Sequence, residues 1–303
     1  MIAPLCLLVA QAAGGAWSSG RPPECGEPGG RTANVWERAK SPELRKYCDR
    51  VASASSKLAG TAAMAQAALE SARAADALVP GHAAPLVLEG RALVALGKLG
   101  DALGALERAK DREPGAFDDP LALLAYARAL ARTGHSAEAA DAYRALLPRA
   151  SGFSASDRAA AEVEAGLVAM SRAAQGLDEA VASLREAVRE AQDESQTVAV
   201  LALALALDRR GDVDEARALL GERLHGDPRT ALASLRGKEL LAVAPAESDS
   251  LAGLGLESTD PAGSRDAWER YAAASPNGPW LAHARAHIAG SPGKRTASGR
   301  RTR

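Results

Sequence analysis

Apolar residues along this chain recur at helical intervals, and the order of large, small and turn residues repeats. Between Leu86 and Pro114, Leu86, Gly90 and Leu93 share one helical face, Gly97 interrupts, Ala102, Leu106 and Ala109 share the next face, and Pro114 closes the segment. This pattern predicts two helices joined by a tight turn. The same order returns in Leu123, Tyr126, Leu130, Gly134, Ala139 and Tyr143, and again in Val200, Leu203, Leu207, Gly211, Ala216, Leu220 and Pro228. A small residue four positions before a second packing residue marks the second helix of each copy. Ala68, Ala102, Ala139, Ala180, Ala216 and Ala267 lead to Ala72, Leu106, Tyr143, Leu184, Leu220 and Tyr271, at separations of 34, 37, 41, 36 and 51 residues. Gly97, Gly134 and Gly211 each stand five residues before their alanine, where a turn between helices calls for a residue without a Cβ.

The copies are unequal. The first, through Ala52, Ala59, Ala68, Ala75 and Pro80, is alanine-rich but in phase, since Pro80 and Pro114 are 34 residues apart. The copy from Ala165 to Val188 is longer, with Gln175 and Gly176 at its turn. Residues 229–247, with apolar Leu240 to Val243 between Gly237 and Pro245, read as an inserted helical half-unit that accounts for the 51-residue step. A last unit holds Leu251, Leu254, Gly255, Asp260, Pro261, Ala267, Tyr271 and Pro279, and Trp280 to Ala289 forms a terminal helix that covers an open apolar end. The apolar run Val198 to Leu207 is ten residues long, too short to span a bilayer and suited to a buried helix.

From about Asp49 to Ala289 these positions resemble the tetratricopeptide repeat (TPR): a large residue, Leu-Gly, an aromatic, then Ala-x3-Phe and Pro over about 34 residues. Leu86 stands where that pattern has Trp, and Glu89 where it has Leu. The resemblance implies an all-α fold, a right-handed α-solenoid of about six helix–turn–helix units with an extra half-unit before the last. It also implies an exported bacterial protein-interaction scaffold, not an enzyme, with first-helix side chains lining a concave groove.

Composition narrows the core and the partners. The sequence is 47% hydrophobic but 3% aromatic, so the core is built from Ala, Leu and Val, which suit closely packed helices better than strands. A net charge of −1 gives no global reason to expect nucleic acid. Lys294, Arg295, Arg300, Arg301 and Arg303 give the tail, residues 291–303, a local positive charge; without an apolar anchor it supports no stable membrane insertion.

The N-terminal residues 1–16 read as a signal peptide, with Ile2 to Ala13 uncharged and Ala10-Gln11-Ala12 offering small residues for cleavage. This predicts a periplasmic or secreted protein; a cytoplasmic one is the alternative. Residues 17–41 form a Gly/Pro-rich arm carrying Cys25, the repeat array occupies 42–228, and residues 248–290 hold the terminal repeat and capping helix. In an exported protein a Cys25–Cys48 disulfide pins the arm to the first helix.

Catalytic signals are missing from the sequence. No phosphate-binding loop, nucleophile elbow or dinucleotide motif is present, and no cofactor is expected. Asp118 and Asp119 before Pro120, and Asp212 and Asp214 after Gly211, are placed to cap helices. His82, His135 and His225 fall at turns. His283 and His287 share a helix face at a metal-ligand spacing, but no glutamate lies between them, so they are read as structural or solvent-facing histidines and no metal is expected.

Arg91, Arg128, Arg132 and Arg209 fall in or one turn beyond the groove-lining positions, a basic track suited to a carboxylate-bearing peptide. The chain is thus read as a non-enzymatic adaptor of the cell envelope. It would bind another protein or peptide in its groove or along the Trp268/Tyr271/Trp280 end. An envelope enzyme or metal-binding accessory protein using His283 and His287, and a purely structural envelope component, are the alternatives.

Overall fold

The computed structural model describes residues 22–25, 42–60, 62–225, 227–235 and 246–290. The signal segment, most of the arm, the apolar part of the inserted half-unit and the basic tail lie outside these residues. The described residues contain helices and turns with no strand. They form two compact units whose boundary follows Tyr126.

The first unit holds α1 (Pro42–Leu58), α2 (Ala65–Leu78), α3 (Ala83–Ala95), α4 (Leu99–Arg112) and the start of α5 (Pro120–Arg132). The second continues with α6 (Ser136–Leu146), α7 (Ala155–Ser171), α8 (Leu177–Glu190), α9 (Asp193–Arg210) and α10 (Val213–Arg223). It ends with α11 (Pro228–Leu235), α12 (Glu247–Leu256), α13 (Pro261–Ala274) and α14 (Leu281–Gly290). Helices α1 and α2, α3 and α4, α7 and α8, α9 and α10, and α12 and α13 pair with one another, and the fold is all-α and built of helical repeats.

The repeat positions explain the pairing. All six marker alanines, from Ala68 to Ala267, are buried. Where the first helix of a hairpin crosses the second, Gly90 of α3 lies under Leu106 of α4 and Gly166 of α7 lies under Leu184 of α8. An ideal Cβ on either glycine would come within 2.4 or 2.5 Å of the leucine Cγ, so the missing side chain is what lets the helices approach. Gly97, Gly134 and Gly211 end first helices with φ of 72°, 88° and 100°, the left-handed region that side-chain-bearing residues resist.

In the first unit, Cys25 and Cys48 are disulfide-bonded with an S–S distance of 2.04 Å. Beside this bond, Tyr47 donates a 2.5 Å hydrogen bond to Glu24 Oε1, and Tyr47, Val51 and Ala54 of α1 pack with Ala72, Ala75 and Leu88. Burial, together with Glu24, raises the Tyr47 pKa far above the usual tyrosine value.

The second unit is organised around α9. Every residue from Val198 to Leu207 is buried, the all-round apolar character of a helix enclosed by neighbours. It packs on α7, α8, α10, α11 and α12. Among the described residues no helix is long and apolar enough to cross a membrane. The first polar residues beyond this run, Asp208 and Arg209, are therefore carried into the interior at the C-terminal end of α9.

Candidate functional site

The end of α9 faces a cleft of about 960 Å³ in the second unit. One wall is α10, with Val213, Ala216, Leu220 and Leu224 nearby, and the other is built from Leu254, Gly255 and Pro261 of the last hairpin. Polar groups are set among these apolar ones: Arg217, Glu257, Ser258, Thr259, Asp208, His283 and His287. A second cleft in the same unit, about 510 Å³, is lined by Tyr143, Leu147, Pro148 and Ala165, with Arg144 and Glu179 beside it. Arg144 and Glu179 are themselves ion-paired at 2.9 Å.

At the inner side of the larger cleft, four elements converge on one imidazole. Asp208 comes from α9, His283 and His287 from successive turns of α14, Glu257 from the turn after α12, and Trp268 from α13. Asp208 Oδ2 is 2.9 Å from His283 Nε2 and 2.9 Å from His287 Nε2, and the two Nε2 atoms are 3.1 Å apart. His287 Nδ1 lies 2.5 Å from Glu257 Oε1. The Trp268 ring stacks on His287 at 4.5 Å and 14° and meets His283 edge-on at 5.9 Å.

Electrostatics follow from this packing. Burial opposes ionisation of Asp208, yet hydrogen bonds from His283 and His287 outweigh it and hold the carboxyl well below its ordinary range. Burial likewise opposes a charge on His287, but the bonds to Asp208 and Glu257 prevail and push its pKa up to about 9.

The four arginines of the expected basic track have different environments. Arg209 has a fully buried side chain. It pairs with Glu247 at 2.8 Å, and its guanidinium carbon lies 4.9 Å from the centre of the Trp280 ring. Tyr271, also beside Glu247, has its pKa raised by burial and that carboxylate to about 12. Arg128 binds Glu164 with both Nε and Nη2, and Tyr143 donates to the same fully buried carboxylate at 2.8 Å. These two guanidiniums join helices of the second unit and are not open anchors. The sequence reading missed this because their acids, Glu164 and Glu247, are more than thirty residues away. Arg132 is half-buried near the end of α5. Arg91, in the first unit, is half-buried on α3; burial lowers its pKa while Asp119 favours its charge.

Other expectations also change. Trp268 and Tyr271 are buried and Trp280 is nearly so, its Nε1 donating to the Met170 carbonyl at 2.9 Å. That aromatic end is therefore core packing, not a docking face. Asp119 caps α5 through the Leu121 amide at 3.0 Å, whereas Asp212 turns to Arg210 and makes no side-chain cap. His283 and His287 are not solitary: the third donor, Asp208, is 75 residues before His283. Its one sequence signal is that it directly follows the ten-residue buried run of α9.

The fold defines an all-α helical-repeat protein. Comparison with known protein families and with curated proteins gives no match. Among solved structures the chain is similar to YrrB, described as a TPR protein with an unusual peptide-binding site, with 18% identity over 72% of this chain and 99% of that one, at a TM-score of 0.41. It is also similar to TTC0263, a thermophilic TPR protein of Thermus thermophilus, with 22% identity over 69% of this chain and 98% of that one, at 0.36. A chain of the Cut9–Hcn1 hetero-tetramer of the APC/C shares 14% identity over 83% of this chain and 48% of that one, at 0.41.

Proposed function

We propose that this chain is a non-enzymatic interaction scaffold of the bacterial cell envelope, and that the large cleft of its second unit holds a segment of another protein through apolar side chains. The observation that carries this reading is the cleft itself. At about 960 Å³ it has room for several side chains of an extended segment, and its walls alternate aliphatic surface with a few fixed polar groups. The helical repeats leave such a cleft between one hairpin and the next without needing a separate domain. The apolar run Ile2 to Ala13 and the Cys25–Cys48 disulfide favour an oxidising compartment.

Crosslinking and mass spectrometry in native envelope fractions test the proposal. The expected result is a partner whose crosslinks map to α10 and α12, and whose capture is lost in the Leu220→Asp/Leu224→Asp variant while far-ultraviolet helicity is kept. Capture that survives this variant but ends when Arg91 and Arg132 are both changed to Glu would move the site to the arginines. Crosslinks to neither place would remove the scaffold reading for this cleft.

A further inference from the structure

We propose that Asp208 Oδ2, His283 Nε2 and His287 Nε2 form a three-ligand binding site for a divalent first-row transition-metal ion, with Glu257 orienting His287. The donor triangle has edges of 2.9, 2.9 and 3.1 Å. Donors about 2.1 Å from one ion and at right angles to each other stand about 3.0 Å apart, so the three atoms already match one face of an octahedron. Tetrahedral zinc, whose donors stand about 3.4 Å apart, needs them to open by only a few tenths of an ångström.

The surroundings have the features of a metal site beyond the donors. A ligating histidine ordinarily gives its other ring nitrogen to a carboxylate, which fixes the tautomer and aims the lone pair at the ion. Glu257 stands at that nitrogen of His287, 2.5 Å from Nδ1. Trp268 lies flat against the same ring and limits its rotation. Asp208 directly follows the buried run from Val198 to Leu207 of α9, and two histidines one turn apart on α14 present their Nε2 atoms to the same oxygen. Two Nε2 atoms and a carboxylate oxygen this close are placed to share one metal ion in place of the N–H protons that otherwise bridge them. Oxygen and imidazole donors favour zinc, iron, cobalt, nickel or copper over calcium or magnesium.

All three ligands line the 960 Å³ cleft, and the histidine side chains are 16–19% exposed. Three protein ligands therefore leave coordination positions open toward the cleft, unlike the closed four-ligand arrangement of a purely structural zinc site. The metal assignment stands independently of what occupies the cleft.

The test is titration of the full, tag-free chain, stripped with chelator, with Zn²⁺ by calorimetry and with Co²⁺ by visible absorption. One ion per chain is expected, with weakening of at least about 100-fold in His283→Gln and in Asp208→Asn, and of about 10-fold in Glu257→Gln. Helicity of each variant is recorded beside its affinity. If a variant unfolds, the wild-type ring-proton resonances decide: Zn²⁺ must shift those of His283 and His287 and leave His135 and His225 unchanged. Absence of heat and of a Co²⁺ spectrum overturns the proposal, as does tight binding unaltered by both ligand substitutions in folded protein.

Discussion

Gly90 lies directly beneath Leu106, so close that a Cβ on the glycine would fall 2.4 Å from the leucine Cγ. Gly90→Ala is therefore expected to destabilise the first unit by about 2–3 kcal/mol through overpacking. Leu106→Ala alone should cost about 3 kcal/mol by leaving a cavity. The double variant should be more stable than the sum of the two predicts, because the new methyl enters the space the leucine vacates. Urea unfolding of the four proteins measures this coupling, and strict additivity would show that the two helices do not meet at this pair.

This joint was readable from the sequence because it is local: Gly90 and Leu106 belong to one repeat, and the same kind of pair returns at Gly166 and Leu184, two residues further apart. The three turn glycines were equally legible, since the requirement for positive φ acts within a few residues. The candidate site was not. His283 and His287 are visible as a pair, but their third donor arrives from α9 and the orienting Glu257 from the turn after α12, at separations no periodicity encodes. Arg128 and Arg209 differ from expectation for the same physical reason. A guanidinium looks available on a helix face until the buried carboxylate it neutralises, 36 residues along for Arg128, is brought beside it.

Arg128→Ala should accordingly act on stability. Among the described residues it leaves the fully buried Glu164 with the Tyr143 hydroxyl as its hydrogen-bond donor, an uncompensated charge that costs about 3–4 kcal/mol. Tyr143→Phe should cost about 1–2 kcal/mol by removing one hydrogen bond to a charged group. Changing Glu164 to Gln in the Arg128→Ala background should recover part of the loss. Denaturation midpoints check all three, and a stable Arg128→Ala protein would return this arginine to the list of partner-binding residues.

The Cys25–Cys48 bond closes a segment with a sequence separation of 23. In the chain-entropy account such a loop contributes about 3 kcal/mol, by restricting the unfolded chain. Reduction, or the Cys25→Ser/Cys48→Ser variant, should lower the melting temperature of the first unit and also weaken the Glu24–Tyr47 hydrogen bond, because Glu24 is held beside α1 by its neighbour Cys25. Scanning calorimetry with and without reductant checks this, and the double-serine variant should show no further effect of reductant.

Glu162 gives the stability a pH dependence with a definite sign. It is buried on α7, and its Oε2 has no hydrogen-bond partner among the described residues. Burial, then the nearby Glu190, raise its pKa to about 7, against the opposing influence of Arg158 and Arg189. Because the folded value lies above the unfolded one, the folded state binds the extra proton, and stability falls as pH rises from about 4.5 through 7. Glu162→Gln abolishes this dependence. Its stability should equal that of the wild type near pH 4.5 and exceed it by about 2–3 kcal/mol near pH 9. Urea midpoints for both proteins across this range make the comparison, which does not depend on other titrating groups common to the two. A difference that stays constant with pH would mean that the Glu162 carboxyl titrates alike in the folded and unfolded chain, and one that grows toward acid would mean that the fold holds it ionised.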